Sequence, residues 1–255
     1  MTSRLLVFTR TTGFRHESIP EARAAVREWG SDHGFAVDAT EDPAALEGGL
    51  GRYGAVLFLS TSGEVLTDRG RTALRDYVEG GGGFVGVHSA ACTEYEWPYY
   101  GELLGARFAD HPAFQPGRLR VEDNTHEATR ALPPVWVFSD EWYNFRTNPR
   151  AAVRVLACAD EDSYEGGTMG ADHPLVWCRN QGAGRVFYTA LGHAAEAYYD
   201  PAFRAHLLGG IAWSWKAGRL RNRPVLSAPA TPNSPTDRCR TSRITRARDS
   251  GSGPV

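Results

Sequence analysis

The residues of this 255-residue chain best suited to chemistry are its histidines and the carboxylates near them. His88 is the clearest. It follows Gly80-Gly81-Gly82-Gly83-Phe84-Val85-Gly86-Val87, a glycine run feeding an apolar stretch that stops abruptly on His88-Ser89. His16 closes Thr11-Thr12-Gly13-Phe14-Arg15-His16, His111 stands in Asp110-His111-Pro112, His173 in Asp172-His173-Pro174, and His193 in Leu191-Gly192-His193. Between them lies Ser139-Asp140-Glu141-Trp142-Tyr143-Asn144-Phe145. Imidazole exchanges protons near neutral pH, so histidines gathered with Asp140 and Glu141 could do general acid–base work. In that reading His88 and Glu141 form the acid–base pair, His16 and His193 orient substrate or water, and Asp140 fixes a neighbouring histidine. The same groups offer a second chemistry. Three or four of His16, His88, His111, His173, His193, Asp140 and Glu141, each about 2 Å from one point, would hold a divalent metal such as zinc or manganese. No H-x-x-x-H or H-E-x-x-H spacing selects the ligands, so the cofactor stays open.

For these residues to meet, the elements before them must end on one rim. Leu5 to Thr9, Phe35 to Asp38, Ala55 to Leu59 and Phe84 to Val87 read as short buried strands. A helix from Ser18 to about Trp29, with Ser18 as N-cap and Pro20 in its first turn, separates the first two. A second helix runs from Thr67 to Glu79 and is stopped by the glycines. Alternating strands and helices predict a mostly parallel, doubly wound sheet, in which ligands sit beyond the carboxyl ends of the strands. The second half has more strands: Arg118 to Val121, Val135 to Phe138, Val153 to Ala157, Leu175 to Cys178 and Arg185 to Leu191. The last two, joined by Arg179-Asn180-Gln181-Gly182-Ala183-Gly184, predict an antiparallel hairpin late in the chain, and a helix from Pro201 to Lys216 closes the domain.

Composition narrows the partners. The chain is 42% hydrophobic with a formal charge of −2, enough for one large core and without the basic footprint of a nucleic-acid binder. No apolar run reaches the roughly 20 residues of a membrane span and no signal-type segment opens the chain, so a cytoplasmic location is expected. Four cysteines without C-x-x-C spacing predict reduced thiols rather than zinc ribbons or disulfides. From residue 222 to 255 the sequence turns to Arg, Ser, Thr and Pro, with six arginines against two aspartates. That composition predicts a disordered tail after an α/β domain spanning 1–221.

Aromatic residues crowd the same strand ends. Tyr95 and Trp97 follow the His88 strand, and Trp142 follows Glu141. Aromatic faces stack on sugar rings, and Phe14, Arg15, Ser89, His111, Asn144, Asp172 and His173 could contact a substrate alongside them. A phosphate cradle at Thr11-Thr12-Gly13 lacks the G-x-G-x-x-G or P-loop pattern, so a sugar is expected rather than a nucleotide. The aromatic-rich second half could also supply a surface for a homo-oligomer.

Taken in order, Thr11-Thr12-Gly13-Phe14-Arg15-His16, Gly82-Gly83-Phe84-Val85-Gly86-Val87-His88, Asp140-Glu141-Trp142-Tyr143, Gly170-Ala171-Asp172-His173-Pro174 and Gly192-His193 resemble the ThuA-like, or trehalose-utilisation, family over residues 4 to 215. The resemblance implies a flavodoxin-like fold related to class I glutamine amidotransferases, and a role in the metabolism of trehalose or a related disaccharide, including its 3-keto form. Those amidotransferases carry a nucleophilic cysteine on a strained turn after the glycine-rich strand. This chain has His88-Ser89 there, and Cys92 lies four residues beyond His88. Amidotransferase chemistry is therefore not expected, and Ser89 lacks a G-x-S-x-G elbow. The expected function is a histidine–carboxylate sugar hydrolase or isomerase; the alternative is a non-catalytic carbohydrate-binding module on the same fold.

Overall fold

The computed structural model describes residues 3–215. The expected tail at 222–255, Lys216 and Cys239 lie outside the described residues. Among the described residues there are eleven strands and four α-helices, alternating in the first half and mostly strands in the second. β1 (Arg4–Phe8), β2 (Ala36–Thr40), β3 (Ala55–Leu59) and β4 (Gly83–Val87) are five-residue strands, and β3 and β4 are buried along their whole length. The helices among them are α1 (Ile19–His33) and α2 (Asp68–Glu79). α3 (Pro98–Leu104) follows, and then β5 (Phe108–Asp110), β6 (Gln115–Val121), β7 (Val135–Asp140), β8 (Asn144–Phe145), β9 (Arg154–Asp160), β10 (Pro174–Gln181) and β11 (Gly184–Thr189). α4 (Pro201–Ser214) completes the described chain.

Nine strands form one sheet in the order β2-β1-β3-β4-β11-β10-β9-β6-β7, and β5 pairs with β8 in a separate ribbon. From β2 through β11 all neighbours are parallel. The β10–β11 hairpin then reverses direction, and the antiparallel part extends beyond it through β9, β6 and β7. Register fixes the rim: Leu59 and Thr189 both stand opposite Val87, so β3, β4 and β11 end at one level. β1 joins them in register with β3. His88 thus leaves the sheet beside the end of β11, which leads to His193, and one strand removed from the end of β1, which leads to His16.

Local chemistry explains most boundaries. Thr67 Oγ1 accepts from the Gly70 N–H at 3.0 Å and caps α2, which Gly80 ends. Ser18 stands at the N-cap of α1 as expected, with Pro20 in the first turn, but its dihedrals of −70° and −13° are already helical and its side chain makes no capping bond. Of the second-half strands, β6, β7, β9 and β10 run longer than the apolar pattern suggests, because polar ends such as Ser139-Asp140 still find ladder partners at Gln115-Pro116, while β11 ends earlier, at Thr189. Gly83 lets α4 dock. A Cβ there would fall inside the radius of the Ser214 carbonyl oxygen.

His206 is wholly buried in α4, where its Nδ1–H donates to Ala128 O at 2.8 Å and its Nε2 accepts from Thr189 Oγ1 at 3.1 Å. Burial lowers its pKa to about 4. The folded state therefore binds fewer protons than the unfolded state below pH 6.5, and stability falls as pH drops from 6.5 toward 4. We expect this residue to account for about 3 kcal/mol of that loss, and His206→Gln, neutral throughout, to flatten urea-denaturation midpoints over that window. Equal slopes in the two proteins would contradict the buried neutral imidazole. Gly83→Ala should cost about 3 kcal/mol through overpacking against backbone, well above the about 1 kcal/mol expected for loss of the cap in Thr67→Ala; urea titration of both variants ranks them.

Candidate active site

β4 delivers His88 through an abrupt turn. His88 has φ +52°, a left-handed conformation rare for a side chain with a Cβ, and it opens the 3-10 turn His88–Cys92. Such a residue costs of order 1–2 kcal/mol and persists only where its surroundings over-determine it. Two bonds do so here: Tyr188 Oη donates to the His88 carbonyl at 2.9 Å, and His88 Nδ1 lies 2.7 Å from Ala190 O. A carbonyl can only accept, so Nδ1 carries a proton, and in the neutral ring the lone pair is on Nε2. That lone pair faces His16 Nε2 at 3.0 Å and Tyr143 Oη at 2.9 Å. His88 is wholly buried.

The other members arrive from three directions. The loop after β1 brings His16, whose Nδ1 is 3.3 Å from Ser89 Oγ. The turn after β11 brings His193, and β7 runs into Glu141. Asp140, wholly buried, ties the last two together: Oδ2 accepts from the Gly192 N–H at 2.7 Å, and Oδ1 from the N–H groups of Glu141 at 2.8 Å and His193 at 3.3 Å. Gly192 has φ +115°, which lets the chain fold over that carboxylate. Asp140 thus positions His193 through its backbone.

Glu141 Oε2 then lies 3.0 Å from His193 Nδ1 and 3.4 Å from His88 Nε2, while Oε1 is 3.6 Å from His111 Nε2. The His193 contact has ion-pair distance without hydrogen-bond alignment, and Nδ1 is buried and otherwise unpartnered. One ligand-type atom from each of His16, His88, His193 and Glu141 lies within 4.8 Å of the others. Burial, reinforced by His88 and His193, lowers His16 to about 3, so it stays neutral. Burial pushes the Asp140 carboxyl up. It also pushes Glu141 up, but His193 and His88 outweigh it and hold that carboxyl well below its usual range, while Glu141 in turn raises His193.

His16 and His193 line a cavity of about 630 Å³. Phe14, 69% exposed, meets the His16 ring edge-on, and Phe114, 47% exposed, lies 5.6 Å from the His193 ring. Arg15, Glu17, Glu21 and Glu196 complete the polar wall. Of the expected site residues, His16, His88, Ser89, His111, Asp140, Glu141 and His193 gather at the centre, and Phe14 and Arg15 line the cavity. Arg15 also pairs with Glu41 at 2.8 Å.

The structure does not bring the remaining expected substrate contacts to the cavity, and most of them have their polar groups bonded within the protein. Tyr95 Oη donates to Phe108 O, and Trp97 packs on Tyr99. Trp142 is wholly buried, its indole N–H donating to Gln115 O. Asn144 Nδ2 donates to Asp110 Oδ1 and Gly166 O. Asp172 is ion-paired with Arg150 at 2.6 Å on the surface. His173 lies behind the site, Nε2 donating to Tyr143 O and Nδ1 2.7 Å from Glu161 Oε1. Tyr143, which the sequence offers only as one of the aromatics after Glu141, is a buried member of the cluster through its bond to His88 Nε2. Phe114 carries no motif that could have marked it.

The site is thus a histidine–carboxylate cluster over the carboxyl ends of the parallel strands of a mixed α/β sheet. The chain belongs to the ThuA family, described as trehalose utilisation, whose model matches residues 4–214. A ThuA-like protein of Bacteroides uniformis superposes with a TM-score of 0.74 at 24% identity, over 86% of this chain and 94% of that one. A ThuA-like protein of Parabacteroides merdae gives 0.70 at 21% identity, over 84% and 90%. A β-galactosidase of Rahnella sp. R3 gives 0.53 at 16% identity, matching 84% of this chain and 31% of the enzyme. At these identities the structures show the fold. No curated protein matches the sequence. Among the described residues no helix is long and apolar enough to cross a membrane.

Thiol chemistry does not suit this site. Burial pushes Cys92 up to about 12 and Cys178 to about 11, and raises Cys158 as well. Iodoacetamide at pH 8 should therefore leave all three unmodified in the native protein, as read by peptide mass spectrometry. Prompt alkylation of Cys92 would contradict this.

Proposed function

We propose that this protein is an enzyme of carbohydrate metabolism that hydrolyses or isomerises a disaccharide of the trehalose type or its 3-keto form. One observation carries the reading: His16, His88, His193 and Glu141 converge under a cavity flanked by the exposed rings of Phe14 and Phe114. The cavity falls in the small-ligand range of about 300–1,000 Å³. Three carboxylates against one arginine in its polar wall favour a neutral polyhydroxyl ligand over a phosphorylated one.

In this reading the roles expected from sequence are redistributed. His88 is sealed from solvent, with one ring nitrogen committed to Ala190, so it positions its neighbours. Proton transfer falls to groups with solvent access. His111 is 35% exposed along its side chain, and its Nδ1 donates to Pro112 O at 2.8 Å. Its Nε2 lies 3.6 Å from Glu141 Oε1, which places the pair to pass a proton to or from a bound substrate, with hydrogen bonds tightening when substrate binds. Phe14 and Phe114 would stack on the sugar rings.

Incubation of the purified protein with trehalose and with 3-keto-trehalose, with and without added divalent metal, followed by chromatography, should show consumption of one of them. Glu141→Gln and His111→Gln should each lower kcat/KM by at least about 100-fold while leaving the melting temperature within a few degrees. Absence of both binding and turnover overturns the sugar reading. Binding without turnover, undiminished in Glu141→Gln, overturns the enzyme reading and leaves a carbohydrate-binding module.

A further inference from the structure

We infer that His16 Nε2, His88 Nε2, His193 Nδ1 and a Glu141 carboxylate oxygen are the protein ligands of a mononuclear divalent transition-metal centre. The inference stands on the arrangement of these four atoms and is independent of which sugar, if any, the protein acts on.

Distance is the first ground. Nitrogen and oxygen ligands lie about 2.0–2.2 Å from a tetrahedral zinc ion, which places them about 3.3 Å from one another. Here His88 Nε2 is 3.0 Å from His16 Nε2 and 3.4 Å from Glu141 Oε2, and Glu141 Oε2 is 3.0 Å from His193 Nδ1. These are edges of a coordination polyhedron, and all four atoms fit within 4.8 Å.

Proton supply is the second. Ala190 O takes the Nδ1 proton of His88, so His88 offers a lone pair to the cluster. Ser89 Oγ sits where it can accept the Nδ1 proton of His16, which likewise turns the His16 Nε2 lone pair inward. His193 Nδ1 is buried with no hydrogen-bond partner in line, and Glu141 is an acceptor when ionised. Tyr143 Oη supplies one proton to this group of acceptors. A cation held in common resolves the remaining repulsion. A carbonyl or hydroxyl on the far nitrogen is also how metal-bound histidines are oriented.

The donor set selects the metal. Three imidazoles with one carboxylate, and no thiolate among them, suit zinc and its first-row neighbours, whereas magnesium and calcium prefer all-oxygen sites. His16 and His193 also line the 630 Å³ cavity, so a ligand from that side could reach the ion.

The test reads metal directly. Full-length protein purified without a metal-affinity step, stripped with a chelator and exchanged, is titrated with zinc and with manganese by calorimetry. Cobalt is then added to follow visible absorption. We expect one ion per chain, visible bands with cobalt, and a higher melting temperature when zinc is bound. His16→Gln and His193→Gln should each weaken binding by at least about 100-fold, whereas His33→Gln, in the last turn of α1, should leave it unchanged. Circular dichroism checks that each variant is folded. Failure of zinc, manganese and cobalt to bind stoichiometrically overturns the proposal. So does binding that survives both ligand substitutions, which would place the ion elsewhere. Because no step reads sugar turnover, a protein that holds metal but ignores trehalose disproves the sugar reading alone.

Discussion

The buried carboxylate of Asp140 is the interaction on which the site depends. Taking an unpaired carboxylate out of water is costly, so its oxygens must be satisfied locally. They are, by three backbone N–H groups, two of them from the Gly192-His193 turn and one from Glu141. The bonds join two segments that the sheet keeps apart, since β7 lies at one edge and β11 beside β4. The carboxylate closes that gap with backbone bonds, which leave the side chains of Glu141 and His193 free to face each other. Asp140 and Glu141 are adjacent in sequence but serve on different levels, one organising the main chain and the other working at the surface it creates.

Strain is concentrated at the same rim. Ser60 and His88, the first residues after β3 and β4, both have positive φ without being glycine. The strained turn associated with a nucleophile is present, but it carries an imidazole. A cysteine there would present one sulfur atom near the backbone, whereas His88 projects its functional atom farther, to a point that His16 and Glu141 can reach. The Ala190 carbonyl and the Tyr188 hydroxyl hold the turn, so the geometry is built into neighbouring strands rather than the loop.

Much of this was legible in the sequence, and for a physical reason. Strands buried on both faces read as short apolar runs, so β1, β3 and β4 stood out, and the histidines that end such runs inherit their position from the sheet. Glu141 and His193 were legible for the same reason. The aromatic residues were not. Trp142, Asn144 and His173 have side chains suited to binding, but whether such a group faces a cavity or the core depends on register and on long-range partners such as Gln115, Gly166 and Tyr143. Residue type cannot encode that. Phe114 shows the converse, a loop residue with no local pattern placed at the cavity by the antiparallel half of the sheet.

Three histidines and one glutamate at positions 16, 88, 141 and 193 meet at one point, and no two of them lie within the same stretch of fifty residues. Each belongs to a different segment of the chain, from the first strand to the turn before the last helix. Contacts so distant in sequence close late, after the loops between them have lost most of their freedom. The centre is therefore a product of the finished fold. During synthesis the emerging chain holds at most three of the four groups until residue 193 has been added, so the capacity for chemistry arrives together with completion of the domain.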